Sequence, residues 1–167
     1  ICFVGTASGD SAGYIERFYT AYKTLLCEPS HLSLFKLPEG DLEEFVLDKD
    51  IIYVGGGNTR SMLALWREWG MDDILRKAYD RGIVLAGLSA GSICWFEQGV
   101  TDSVTGHLGP IQGLGLIPGS HCPHYDGEEE RRPAYHELLQ SDKLASGVAA
   151  DDGVALHYYD GELHDVV

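Results

Sequence analysis

The segment from Ile83 to Trp95 holds the residues with the clearest chemical potential. An apolar run, Ile83–Leu88, leads into Gly87-Leu88-Ser89-Ala90-Gly91, a Gly-x-Ser-x-Gly pattern with a helix-like stretch after it. A serine on such a sharp strand-to-helix turn presents its hydroxyl at the carboxyl edge of a sheet. Ser89 is therefore a candidate nucleophile. The alternative is a tight turn with an incidental serine, because short Gly/Ser patterns are common.

Three consecutive glycines form a second segment of this kind. Gly55–Gly57 follow the apolar run Ile51–Val54, and exposed backbone amides at such a position can bind an anion. A phosphate has little support, because neither the dinucleotide glycine spacing nor a Gly-Lys-Ser/Thr sequence follows. The oxyanion that forms when a serine attacks a carbonyl fits better, with the amides of Gly57 and Ala90 as donors.

A nucleophilic serine needs a base, and seven histidines are available. His124 or His121, both downstream of Ser89, could take this role, and the other five are expected in ordinary surface or capping positions. A metal site made of His121, Cys122 and His124 is the competing interpretation. Because a strand alternates its faces, residues 122 and 124 could share a side that residue 121 could not. A metal site is therefore not favoured, and attack by Ser89 on a carbonyl needs neither a metal nor an organic cofactor.

The imidazole also needs a carboxylate to orient it. Three acidic residues are candidates from the sequence, Glu97, Asp102 and Asp126. The chain order serine, acid, histidine fits the first two.

The elements that must position these residues follow a simple pattern. Short apolar runs rich in β-branched residues alternate with longer amphipathic segments, which is typical of βαβ units and a mainly parallel sheet. The predicted strands are Ile1–Val4, Leu32–Leu37, Ile51–Val54 and Ile83–Leu88. The predicted helices are Tyr14–Cys27, Ser61–Arg81 with a break at Gly70, and Glu128–Leu139. A hairpin is predicted where Val154–Tyr159 and Glu162–Val167 flank Asp160-Gly161.

Composition excludes several classes of protein. With 167 residues, 44% of them hydrophobic, the chain is expected to form a single α/β domain over residues 1–167, and the loss of a terminal strand is left open. Acidic residues outnumber basic ones by 26 to 12, and the net charge of -14 repels nucleic acid and anionic lipid. The apolar runs are too short to span a membrane. Four widely spaced cysteines indicate a reduced, cytoplasmic protein.

Three motifs together resemble the serine peptidases that include aspartyl dipeptidase (peptidase E) and cyanophycinase. They are Val54–Thr59, Gly87–Gly91 and Cys122–Tyr125, which occur in the family's order, and the similarity runs through nearly the whole chain. The resemblance implies a three-layer α/β/α sandwich, flavodoxin-like or class I glutamine-amidotransferase-like, rather than an α/β-hydrolase. It also implies a Ser89 nucleophile, a His124 base and an oxyanion hole from Gly57 and Ala90.

The resemblance points to Asp102 as the orienting acid, with Glu97 as the substitute. It places the family's aspartate-binding arginine at Arg131. The alternative is that Arg131 and Arg132 are solvated surface residues that form ion pairs with the preceding glutamates. Asn58, beside the glycine loop, is the other predicted substrate contact.

The function implied is a serine exopeptidase acting on short peptides with an N-terminal aspartate. The alternatives are cleavage of β-aspartyl or cyanophycin-type peptides, and a catalytically silent homologue that binds a small metabolite. The expected partner is the peptide itself, neither nucleic acid nor membrane, and a homodimer is left open.

Overall fold

The computed structural model describes residues 1–36, 40–103 and 107–167. The chain divides into two compact units, Ile1–Gly91 and Ser92–Val167, which are described here one at a time. The single domain predicted from the sequence stays a prediction.

Unit 1 is built on a four-stranded parallel sheet. Its strands are β1 (Cys2–Val4), β2 (Ser30–Leu32), β3 (Ile51–Val54) and β4 (Val84–Gly87), in the order β2-β1-β3-β4. Val4 is paired with Val54, and Val54 with Gly87, so β1, β3 and β4 end side by side. The loops that follow these three strands therefore emerge at one edge of the sheet, which is where α/β proteins bind ligands.

Four helices complete unit 1: α1 (Ala12–Tyr22), α2 (Leu42–Leu47), α3 (Thr59–Trp69) and α4 (Met71–Asp80). The predicted break at Gly70 is confirmed, because Gly70 takes a left-handed conformation (φ 66°) that ends α3 and starts α4. The helices bury an apolar layer against the sheet that includes Phe3, Ile52, Met62, Trp66 and Leu75.

Unit 2 contains a second, mixed sheet. The short helix α5 (Ala90–Ile93) spans the division between the units. The strands of unit 2 are β5 (Phe96–Thr101), β6 (Gly109–Gln112), β7 (Ile117–Cys122) and β8 (Gly147–Ala149), in the order β6-β5-β7-β8. The β5–β7 and β7–β8 pairs are parallel, and β6 is antiparallel to β5. Helix α6 (Arg131–Gln140) packs on this sheet through a core of Val100, Cys122, Tyr135, Leu138 and Leu144.

The expected hairpin is present at the end of unit 2. Strands β9 (Leu156–Tyr159) and β10 (Glu162–Val166) pair antiparallel across Asp160-Gly161. Both turn residues have positive φ angles, 50° and 78°, as a tight two-residue hairpin turn requires.

The α/β class with mainly parallel strands is confirmed, and one predicted strand is wrong. The segment Leu32–Leu37 was expected to be a strand, but β2 is Ser30–Leu32, and Leu37 lies outside the described residues. The backbone has left the ladder by Phe35, whose N–H donates to the Asp10 carboxylate instead (3.1 Å). Within the described part of the chain, no helix is long and apolar enough to cross a membrane.

Candidate active site

Ser89 lies on the turn between β4 and α5, as the nucleophile pattern predicts. Its backbone φ is +54°, in the left-handed region that residues other than glycine seldom adopt. The turn is fixed on both sides, because the Leu88 N–H donates to the Val54 carbonyl (3.2 Å) and the Gly91 N–H donates to the Leu88 carbonyl (2.9 Å). Strained backbone of this kind is concentrated at functional sites.

The glycine loop after β3 lies against Ser89 within unit 1. A Cβ built on Gly56 would come 3.2 Å from the Ser89 Cβ, so the two backbones approach closely. The next residue, Gly57, has a φ of +139°, and a Cβ there would overlap the Ala7 carbonyl. Only glycine fits this position, because both its φ and the space around it exclude a side chain.

Two backbone amides beside Ser89 are available to a ligand. Of the four amides from Gly55 to Asn58, three donate to other groups of unit 1, and the exception is Gly57. Ala90 is the first residue of α5, so its amide has no helical acceptor. Among the described residues, neither amide has a hydrogen-bond partner. Both can therefore donate to an oxyanion that forms on a substrate attacked by Ser89.

In unit 2, His124 is paired with a carboxylate. Its Nδ1 lies 2.6 Å from the Asp152 Oδ1, with the imidazole a quarter exposed and the carboxylate largely exposed. When Nδ1 carries the proton of this hydrogen bond, Nε2 is the nitrogen that can accept a proton from a nucleophile. His124 also has a left-handed backbone, with a φ of +56°.

The sheet of unit 2 places Asp152 beside His124. Strands β7 and β8 are parallel neighbours, with Cys122 paired with Ala149, so the residues just after them meet at the same edge. The Asp152 N–H donates to the Asp126 Oδ1 (2.8 Å). A side chain on Gly127 would overlap the Asp152 carboxylate, so the lack of one leaves room for the acid.

A model of peptidase family S51 matches residues 1–166. The chain belongs to peptidase family S51. It is therefore a serine-type peptidase, as the three motifs predicted.

Several relatives of this S51 peptidase are known. It is 61% identical to the uncharacterized peptidase YgaJ of Bacillus subtilis, over the whole of this chain and 72% of that protein. It is 28% identical to Peptidase E of Haemophilus influenzae, over 71% of this chain and 58% of that protein. A crystal structure of a Peptidase E protein from Listeria monocytogenes covers 99% of this chain and 83% of its own, with a TM-score of 0.74 at 20% identity. That likeness shows the same fold.

The acid beside His124 differs from the three carboxylates predicted for this S51 peptidase. Glu97 accepts a hydrogen bond from the Gly119 N–H (2.9 Å), and Asp102 lies with His107 and Glu128–Glu130 around a separate acidic pocket. In the part of the chain that the structure describes, neither is hydrogen-bonded to His124. Asp126 is linked to His124 indirectly. Its Oδ1 accepts the backbone N–H of Asp152, the residue whose carboxylate is hydrogen-bonded to His124.

His121 has a structural position rather than that of a base. Its Nε2 is hydrogen-bonded to the Ser92 Oγ (3.1 Å), and its ring stacks on Phe96 at 4.7 Å. Only 3% of the residue is exposed, and burial lowers the pKa of His121 to about 4, so the ring stays neutral. The buried ring of His121 is thus engaged with Ser92 and Phe96. Across residues 1–36, 40–103 and 107–167, no group of three or more His, Cys, Asp or Glu could hold a metal ion.

Arg131 is buried, which differs from both interpretations made from the sequence. It is 3% exposed, and its guanidinium donates to the Val100 carbonyl (2.9 Å) and to the Glu128 carboxylate (2.6 Å). The residue therefore ties the start of α6 to β5, because a buried charge must be paired to be tolerated. Its neighbour Arg132 is exposed and lies 4.6 Å from the centre of the Tyr125 ring.

Asn58 has a capping role that the sequence analysis did not assign. Its Oδ1 accepts the Ser61 N–H (2.8 Å) at the start of α3, and its own N–H donates to the Ala7 carbonyl (2.8 Å). These bonds hold the end of the glycine loop. The contact of Asn58 with substrate stays a prediction. The side-chain Nδ2 is the group that could donate to a substrate, because the Oδ1 and the backbone N–H are used within the protein.

Proposed function

We propose that this S51 peptidase is an exopeptidase that removes an N-terminal aspartate from short peptides through an acyl-enzyme. Ser89 is the nucleophile, His124 the general base and Asp152 the acid that orients it. The observation that carries the proposal is the pair of unpartnered amides, Ala90 directly after Ser89 and Gly57 in the glycine loop that lies against Ser89. An amide that is not engaged within the protein can donate to a bound ligand in place of water.

The reaction follows from these groups. The Ser89 oxygen bonds to the substrate carbonyl carbon while its proton moves to the His124 Nε2. The carbonyl π electrons move to oxygen, and the Gly57 and Ala90 amides stabilise that charge. His124 then gives its proton to the leaving amine as the C–N bond breaks, and water hydrolyses the acyl-enzyme by the same steps. No cofactor is required.

The pairing of Ser89 with His124 rests on the family's motifs. Ser89 belongs to unit 1 and His124 to unit 2, and each carries its own local support. In unit 1 this support is the left-handed turn with the two free amides, and in unit 2 it is the bond to Asp152. Both halves are of the kind that peptidase chemistry needs.

Arg132 is the residue we propose to bind the substrate's aspartate side chain. Arg131 is engaged in the interior, whereas Arg132 is exposed and has no carboxylate partner among the described residues. It packs on Tyr125, the residue directly after the proposed base, and Tyr125 is held by its N–H to the Ala150 carbonyl (3.0 Å) and by its hydroxyl to His136 (2.7 Å). A planar guanidinium suits a carboxylate because the two can form paired hydrogen bonds.

The two adjacent arginines provide a matched test of this specificity. Arg132→Gln is expected to lower kcat/KM for Asp-Leu by about 10- to 100-fold, the equivalent of roughly 1.5–3 kcal/mol for a hydrogen bond to a charged group. Cleavage of Ala-Leu should change little, and the melting temperature should hold. Arg131→Gln should instead lower the melting temperature, because it leaves Glu128 and the Val100 carbonyl without their partner. An unchanged ratio of Asp-Leu to Ala-Leu cleavage in Arg132→Gln would contradict the assignment.

A digest of a dipeptide library tests the function as a whole. Asp-X, β-Asp-X and neutral dipeptides are incubated with the protein, and the released amino acids are quantified. We expect Asp-X to be cleaved fastest; preferential cleavage of β-Asp-X would favour the alternative of an isopeptidase. A fluorophosphonate should label Ser89, as read by peptide mass spectrometry. Absence of both cleavage and labelling would support a catalytically silent homologue.

We also propose a reduced, cytoplasmic setting. The four cysteines are free thiols, and three of them are buried. Burial raises the pKa of Cys2 and Cys122 to about 11, and that of Cys94 well above its ordinary value, so these thiols stay protonated and unreactive. A homodimer stays a prediction that light scattering in solution would test.

A further inference from the structure

Tyr14 connects helix α1 to the glycine loop beside Ser89. Its hydroxyl oxygen accepts the Gly56 N–H at 3.2 Å, across 42 residues of sequence. The ring is held in place, because it packs on Phe3 with centroids 5.2 Å apart and lies 4.9 Å from the Arg17 guanidinium. A Cβ on Gly55 would meet the Tyr14 ring at 3.4 Å, so ring and loop are in close contact.

The sequence of the glycine loop, Gly55–Gly57, does not by itself determine the backbone conformation of the loop. Three glycines in succession can adopt a wide range of backbone angles, so external contacts must choose one. The Gly55 amide continues the sheet by donating to the Val4 carbonyl (3.1 Å), and the Asn58 amide donates to the Ala7 carbonyl (2.8 Å). Between these two backbone contacts, the Tyr14 hydroxyl is the one side-chain group that accepts from a loop amide, within the described ranges of the chain.

The position of that bond decides which amide faces a ligand. With Gly56 bound to Tyr14 and Asn58 bound to Ala7, the loop is restrained immediately before and immediately after Gly57. The Gly57 N–H is thereby left as the free donor, with its direction set by its neighbours. An oxyanion donor is effective only when it is held in place before the reaction, because reorientation during the reaction would cost the stabilisation it provides.

We propose that Tyr14 is a positioning residue that directs the Gly57 amide into the oxyanion hole by holding the Gly56 amide. This inference rests on the proposed function, since it assumes that Ser89 acylation is the reaction. Tyr14 acts through the loop, so its loss should affect the transition state far more than the bound substrate. Interactions made only in the transition state lower kcat when removed and leave KM in place.

The test is Tyr14→Phe in the full-length protein, with Tyr19→Phe as the matched control. Tyr19 lies on the same helix, and its hydroxyl is hydrogen-bonded to the His31 Nδ1 (2.9 Å), so both variants remove one bonded hydroxyl from α1. For Tyr14→Phe we expect kcat on Asp-Leu to fall by about 10- to 100-fold, less than the loss of a whole oxyanion donor, while KM stays within about twofold. Tyr19→Phe should keep the wild-type kcat. The melting temperatures of both variants should stay close to that of the wild type.

A transition-state analogue separates positioning from a general structural effect. The α-aldehyde of aspartate forms a tetrahedral adduct with Ser89 whose oxygen occupies the oxyanion hole, whereas leucine, the product that leaves first, carries no atom of the reacting carbonyl. Tyr14→Phe should weaken aldehyde inhibition by the same factor as kcat/KM and leave product inhibition unchanged.

Three results would overturn the inference: a wild-type kcat in Tyr14→Phe, an equal loss in Tyr19→Phe, or a change confined to KM. Its failure is distinguishable from that of the proposed function. If Ser89→Ala is inactive while Tyr14→Phe behaves as wild type, only the role of Tyr14 is wrong. If Ser89→Ala keeps its turnover, the acyl-enzyme mechanism is wrong, and the role of Tyr14 with it.

Discussion

Ser89→Ala is expected to lower turnover of Asp-X peptides by about 10⁴- to 10⁶-fold, the scale seen when a serine nucleophile is removed from a catalytic unit. The change removes one oxygen and keeps the Cβ, so the left-handed turn and its flanking hydrogen bonds should persist. The melting temperature should therefore hold. Steady-state cleavage of Asp-Leu together with thermal unfolding measures both effects.

The control for this variant is three residues away. Ser92→Ala removes the half-buried hydroxyl that is hydrogen-bonded to the buried ring of His121. It should lower stability by roughly 1 kcal/mol, the usual cost of one lost hydrogen bond, and leave fluorophosphonate labelling intact. If Ser92→Ala lost turnover while Ser89→Ala kept it, Ser89 would not be the nucleophile.

Asp152→Asn is expected to have the second-largest effect, a loss of about 10²- to 10⁴-fold in kcat. The substitution keeps the shape of the side chain but removes the charge that selects the tautomer of His124 and stabilises its protonated form. The carboxylate is 60% exposed, so water screens part of its charge and the lower end of this range is expected.

Two further carboxylates serve as controls for Asp152. Asp102→Asn and Glu97→Gln, the acids that the sequence favoured, should both remain near wild type, because neither contacts His124. A large loss in Asp102→Asn and a small one in Asp152→Asn would restore the prediction made from the family's spacing. Small losses in all three would indicate a serine–histidine dyad.

The sequence predicted strands β1, β3 and β4 of unit 1, though not β2 or α2, because the signals around Ser89 and the glycine loop are local. Strand β3 matches its predicted bounds, and Ser89 and Gly57 are positioned by the few residues around them. A glycine run or a Gly-x-Ser-x-Gly pattern at the end of an apolar strand carries its structural meaning within about ten residues. Such motifs predict local structure without knowledge of the rest of the chain.

The acid was missed because it depends on a pairing that no short motif encodes. Asp152 follows β8, a three-residue strand that was not predicted, and it reaches His124 because β8 lies parallel to β7. A signal was present: Val148-Ala149-Ala150 is a short apolar run followed by two aspartates, the same strand-then-polar pattern that marked the other loops. The chain order serine, acid, histidine favours the stretch between Ser89 and His124, and Asp152 lies beyond it.

The roles of the two arginines could not be separated in sequence for a similar reason. Arg131 and Arg132 are adjacent, and both follow the same acidic run. Which side chain enters the interior depends on where α6 begins and which of its faces meets β5, as the bond to the Val100 carbonyl shows. Helix phase at a terminus is among the features that a sequence pattern determines least.

The left-handed backbones of Ser89 and His124 have a consequence for protein engineering. Both residues have φ angles near +55°, where glycine is accommodated without the steric cost that a side chain brings. A selection that rewards folding alone would therefore favour glycine at the two positions on which turnover depends. Stabilised variants of this peptidase should accordingly be screened for catalysis in the same round, since heat resistance and inactivity can arise from one substitution.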